Sequence, residues 1–248
     1  MTTATTALHL RERTPEQIEE ALAAIFAREG RAQTLRLQGT YSAVLGRLTD
    51  PAQEAPYRYL ILPTPAGSLW TPLLELDNRA DGLDRALSAV LGGCAVFALF
   101  VYGEVASGYR FVRDGAEQDR YLSDPDEFAA MESSETVEGD DAPAIGDVAA
   151  FRGDPARFAD LLPPDAPPEE FTRVVLRPGW WEDHERENQD DHEASDEDLD
   201  EDLVDETDRM RCIGLALELW GASEYPFAGE LEDGPDKGRS PAVALAFA

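Results

Sequence analysis

Three histidines, two cysteines and a dense run of aspartates are the residues whose types could carry chemistry. A nucleophile–histidine–acid arrangement needs an imidazole held within hydrogen-bond reach of the proton it moves. His9 stands near the start of the chain, where a frayed terminus is expected. His184 and His192 stand in an acidic run that is expected to be a flexible loop. None of the three sits on an element expected to be rigid. Carboxylates abound, so a carboxylate-only mechanism stays open, yet their abundance singles out no pair. Neither the Walker nor the dinucleotide type of Gly-rich phosphate loop occurs in the sequence, so no cofactor is expected.

Metal chemistry has two partial matches. His184-Glu185 begins as the helical His-Glu-x-x-His zinc motif does, but Asn188 stands where the second histidine belongs. Asp196, Asp198 and Asp200 match the first three ligands of an EF-hand loop; Glu201 then replaces the turn glycine, and Thr207 the bidentate glutamate. A run this rich in Asp produces such a match by composition. No dedicated metal site is expected, only weak association of Ca²⁺ or Mg²⁺ with solvated charge. Cys94 and Cys212 each lie in an apolar stretch, which suits reduced core thiols in a cytoplasmic protein.

The charge is the unusual quantity. The chain of 248 residues carries 51 acidic and 21 basic residues, a net charge of −30. Phosphate backbones and anionic membranes repel such a chain, so neither nucleic acid nor membrane is an expected partner; a basic protein or a cation is. Half of the net charge sits in Glu182–Asp208, with 16 acidic residues against Arg186 alone. A block so self-repelling is expected to be an acidic, disordered insert. Salt adaptation of the whole surface would spread the acid more evenly. Trp180-Trp181 stand just before the run, either as an exposed anchor for a partner or with at least one ring closing the core.

The elements that would position these residues read as α+β. Cys94–Tyr102 is apolar on both alternate faces, as in an interior strand. Tyr109–Val112 and Ala116–Leu122 alternate apolar with charged residues about Asp114-Gly115, the sequence of a type I′ hairpin turn. Tyr57–Leu62 and Ser68–Leu76 read as a further hairpin, with Pro72 suggesting an edge or a bulge. Thr34–Gln38 alternates as a strand does, whereas Tyr41–Leu48 fits either class. A helix is expected from Thr14, where Thr14, Pro15 and Gln17 form a capping box and Ile18, Ala21, Leu22, Ile25 and Phe26 one stripe. Others are expected from Asp81, from Asp154-Pro155 and across Asp205–Trp220, and the Ala-rich end, Pro241–Ala248, as a docked terminal strand. Ala86–Gly103 is uncharged for 18 residues, but Gly92-Gly93 divides it, so a membrane span is not expected. The first residues lack a basic stretch followed by an apolar core, and no signal peptide is expected.

These readings place residues 1–248 in one α+β domain, a mostly antiparallel sheet covered by helices, with 182–208 as an acidic flexible insert. The helix ending in Leu91-Gly92, the strand, Tyr109–Gly115 and Asp119–Phe128 together resemble a group of uncharacterised bacterial cytoplasmic proteins. In that group such a hairpin is joined to a short helix of the Gly153-Asp154-Pro155 type and a late helix ending near Leu-Trp-Gly. The resemblance spans roughly residues 83 to 225 and implies a fold grouping without an activity; the long acidic insert departs from it. The functional expectation is a non-catalytic cytoplasmic protein-binding module, of the inhibitor or immunity type, acting on a basic partner. Its expected contact residues are Trp180, Trp181, Asp196, Asp198, Asp200 and Asp202. The alternatives are a carboxylate- or metal-dependent enzyme, or a loop that only solubilises.

Overall fold

The computed structural model describes residues 4–49, 55–64, 69–76, 82–102, 106–122, 148–162 and 241–248. Eight strands are named β1 (Ala4–Arg11), β2 (Gln33–Thr40), β3 (Tyr57–Ile61), β4 (Trp70–Glu75), β5 (Val96–Tyr102), β6 (Ala106–Arg113), β7 (Ala116–Leu122) and β8 (Pro241–Phe247). They form one sheet in the order β2-β8-β3-β4-β1-β5-β6-β7. Every neighbouring pair is antiparallel. Among the described residues three helices accompany it, α1 (Pro15–Arg28), α2 (Tyr41–Leu48) and α3 (Leu83–Val90), with 3₁₀ turns at Val148–Phe151 and Pro155–Leu161. The fold is α+β.

Helices α1 and α3 cover one face. The stripe Ile18, Ala21, Leu22, Ile25 and Phe26 is buried and meets Leu8, Leu10, Tyr59, Ile61, Leu73, Val96 and Leu245. The start of α1 is fixed as its sequence suggests: Thr14 Oγ1 accepts from Gln17 N at 3.3 Å, and Gln17 Oε1 from Thr14 N at 3.0 Å. These satisfy two donors that a helix start otherwise leaves open. On the opposite face, α2 packs Tyr41, Val44 and Leu48 over the alanines of β8, with Leu60 and Leu74. The Pro155–Leu161 turn lays Phe158 and Leu161 over Trp70, Phe97, Tyr109 and Phe111.

Several elements depart from the sequence reading. His9 does not lie in a frayed stretch: β1 lies between β4 and β5 and carries buried Ala7, Leu8, His9 and Leu10. Pro72 marks neither an edge nor a bulge, since β4 is interior. Its carbonyl accepts from Leu62 N at 3.0 Å, so its missing donor points to the same side, just past Ile61 where β3 ends. The proline therefore costs the ladder little. The ambiguous Tyr41–Leu48 is helical and starts directly where β2 stops. Helix α3 is capped by Gly82 at φ 74° rather than by Asp81, which lies outside the described residues. The Ala-rich end is a strand, but an interior one.

The other elements agree. β5 is interior, with Val96, Phe97 and Ala98 all buried. Asp114 and Gly115 take φ 55° and 73°, the pair of positive values that a type I′ turn requires. Gly92 and Gly93, at φ 65° and 79°, break Ala86–Gly103 into the end of α3 and the approach to β5. No helix among the described residues is long and apolar enough to cross a membrane. The sequence also reads as a short helix from Asp124, an acidic loop over Glu132–Asp141 and a strand over Phe171–Leu176; these and the expected helix across Asp205–Trp220 lie outside the described residues.

Candidate functional site

Most polar groups that this fold buries are used by the fold itself. The Asp84 carboxylate on α3, fully buried, pairs with Arg110 on β6 and also accepts from Arg85 N at 2.8 Å. Ser88 Oγ donates to the Cys94 carbonyl at 2.7 Å and accepts from Gly115 N at 3.1 Å. These contacts tie α3 to the β6–β7 hairpin. Removing one partner of such a pair strands the other. Asp84→Ala is therefore expected to cost about 3 kcal/mol, and Asp84→Asn less, in urea unfolding. A loss under about 0.5 kcal/mol would show that solvent compensates Arg110.

The opposite face has a second network. Tyr109 donates to Asp119 Oδ2 at 2.7 Å, and Asp154 N donates to the same oxygen at 2.9 Å. Asp154 Oδ1 accepts from Ala156 N at 3.1 Å and caps the 3₁₀ turn that carries Phe158. Burial pushes the Asp119 carboxyl upward against these donors, and it pushes the Tyr109 phenol well up. The network positions Phe158 on the aromatic cluster.

His9 is the exception, and the structure gives it a place that its sequence position did not suggest. Its partners across the ladder are Pro72 on β4 and Phe97 on β5, neither of which offers a hydrogen-bonding side chain. Neither ring nitrogen has a hydrogen-bond partner, and both are sealed from solvent. Two residues on, Arg11 Nη1 is likewise sealed and without an acceptor. Desolvation lowers the imidazole pKa from 6.5 to about 4. His9 is thus neutral near pH 7, and neither nitrogen has a hydrogen-bond partner with which to exchange a proton. The alternation in Thr6-Ala7-Leu8-His9-Leu10-Arg11 was the available signal for a strand, and it places His9 with Ala7 on one face.

Cys94 is buried, and its Sγ lies 3.3 Å from the Arg11 carbonyl. Burial raises its pKa, so the thiol stays protonated, as a core residue does. Among the described residues no group of His, Cys, Asp and Glu is placed to hold a metal ion.

The contact residues expected from sequence, Trp180, Trp181, Asp196, Asp198, Asp200 and Asp202, lie outside the described residues, as do His184, His192 and Cys212. What the described residues add is electrical. They hold 12 acidic residues and 13 arginines, a net charge of +1, so 39 acidic and 8 basic residues lie outside them. Most of the framework charges are paired, as in Arg36–Glu19, Arg85–Glu117 and Arg113–Asp160. The net negative charge therefore lies outside the described residues. The longest interval between described residues is 163–240, between the 3₁₀ turn and β8. No family model, curated protein or solved structure matches the chain.

Proposed function

We propose that the protein is a non-catalytic, cytoplasmic protein-binding module whose acidic run meets a basic protein, in the manner of an inhibitor or immunity protein covering a nucleic-acid-binding surface. The observation that carries this reading is the partition of charge. The described residues carry a net +1, whereas Glu182–Asp208 alone carries −15 of the chain's −30. Solubility is served by charge on any face, whereas a concentrated field of one sign also attracts and orients a partner of the other. In this reading Trp180 and Trp181 supply apolar anchors, and Asp196, Asp198, Asp200 and Asp202 supply part of the attraction.

Partners captured at low salt provide the test. Replacing Asp196, Asp198, Asp200 and Asp202 by Asn is expected to slow association by roughly tenfold at low ionic strength and to flatten its salt dependence. Trp180→Ala with Trp181→Ala is expected to act on dissociation instead, because desolvated aromatic anchors govern residence time. Thermal stability should change little in the Asn variant, since neutralising like charges relieves repulsion. Identical partners, rates and salt sensitivity in the Asn variant and the wild type would leave the run a solubilising segment and end the proposal.

A further inference from the structure

The last strand in the sequence is an interior strand of the sheet. β8 is paired along its length on both sides, to β2 through Gln38↔Val243 and Leu37↔Ala244, and to β3 through Leu60↔Ala244 and Tyr59↔Leu245. Among the described strands β2 pairs with β8 alone, so β2 joins the hydrogen-bonded ladder through this one strand. The seat is specific. It takes Val243, Leu245 and Phe247 toward α1, and Ala242, Ala244 and Ala246 beneath α2. Residues 162–240 separate β8 from the preceding 3₁₀ turn, the longest interval between consecutive described elements.

We propose that the β2–β3 slot is a strand-exchange site, and that β8 of a second copy of this chain can occupy it. A strand from another copy makes the same ladder and the same side-chain contacts as the resident one. The closed and exchanged forms then differ only in the tether and the concentration. A strand of the same chain is covalently joined to its slot whatever the protein concentration, so the closed monomer prevails in dilute protein. Exchange requires β8 to leave its seat, which exposes an unpaired β3 edge and releases β2. The exchanged dimer should therefore form when release is made frequent and chains are concentrated.

Gln38 and Val243 stand directly opposite each other across the β2–β8 ladder, and neither is buried. Full-length Gln38→Cys is mixed with full-length Val243→Cys, taken to the midpoint of urea unfolding and returned at several concentrations to buffer containing oxidised glutathione, which takes up the two electrons of disulfide formation. The expected result is a disulfide between the two introduced thiols, joining two chains, in a yield that rises roughly in proportion to chain concentration up to about 1 mM. Each variant mixed with the wild type measures the background from Cys94 and Cys212. A yield no higher than that background at every concentration overturns the proposal, provided that both substitutions in one chain form the bond within it. Should the one-chain variant fail to close, sedimentation of the wild type after the same treatment decides. Dimer at about 1 mM supports exchange, and monomer alone refutes it.

Discussion

Removal of residues 241–248 is expected to abolish the cooperative fold. The deletion takes out β8, which is paired on both sides, and leaves β3 with an open edge and β2 without a neighbour among the described strands. Ala242, Ala244, Leu245, Ala246 and Phe247 are all buried, so their loss also uncovers the facing sides of α1 and α2. Burying a Leu or Phe side chain is worth about 1.5–3 kcal/mol each, before any ladder bond is counted. A domain is typically stable by only about 5–15 kcal/mol. One side chain should show much of the effect. Phe247 stacks on Phe26 with ring centroids 4.4 Å apart and meets the edge of Tyr59 at 6.2 Å. Phe247→Ala is expected to cost about 3–5 kcal/mol, because the cavity lies between the sheet and α1. Circular dichroism and urea unfolding of the two variants check this. A truncated chain that melts cooperatively within a few degrees of the wild type would show that the other seven strands hold together without β8.

Acid should unfold this protein partly through His9. The imidazole has a folded pKa of about 4 against an ordinary value of 6.5, lowered by desolvation. Between these values the unfolded chain binds a proton that the folded chain does not, so stability falls as pH falls. The contribution is intact above about pH 6.5, is lost progressively below it and is fully lost below about pH 4. The shift corresponds to about 3 kcal/mol, at 1.36 kcal/mol per pH unit. Protonation would also place a second cation beside the sealed Nη1 of Arg11, two residues along the same face. The chain's many carboxylates add their own pH dependence, so the comparison is with His9→Leu, which has similar volume and no ring nitrogens. Near pH 7 the variant should be at least as stable as the wild type, because two unpartnered buried nitrogens disappear. Between pH 7 and pH 4 the wild type should lose about 3 kcal/mol more than the variant. Parallel stability curves would sink this account of His9. The His9 imidazole resonance, identified by its loss in His9→Leu, titrating near pH 6.5 in the folded protein would do the same.

Local order was legible in the residues wherever short-range stereochemistry decides it. Thr14, Pro15 and Gln17 specify the start of α1 because all three act within one helical turn. Asp114-Gly115 specifies the β6–β7 turn because few residue pairs tolerate two consecutive positive φ values. The stripe on α1 and the two-sided apolarity of β5 identify buried faces, since periodicity reports how many sides of an element are covered. The net charge and its concentration in Glu182–Asp208 are likewise matters of composition.

Neighbour relations were decided elsewhere. Pairing partners are set by long-range packing, which leaves little trace in any one strand's own alternation. Nothing in Pro241–Ala248 says that it enters between β2 and β3 rather than docking at an edge, although its apolar and small residues permit an interior place. Pro72 reads as an edge residue until the end of β3 at Ile61 shows where its missing donor points. His9 changed most. A polar residue near the start of a chain looks solvated, and only the enclosure of β1 between β4 and β5 strips its ring of water and partners. The tertiary structure also paired charges distant in sequence, as in Arg36–Glu19, Arg85–Glu117 and Arg113–Asp160. Composition determines how much charge a chain carries; the packing of the sheet determined which arginine meets which carboxylate among the described residues.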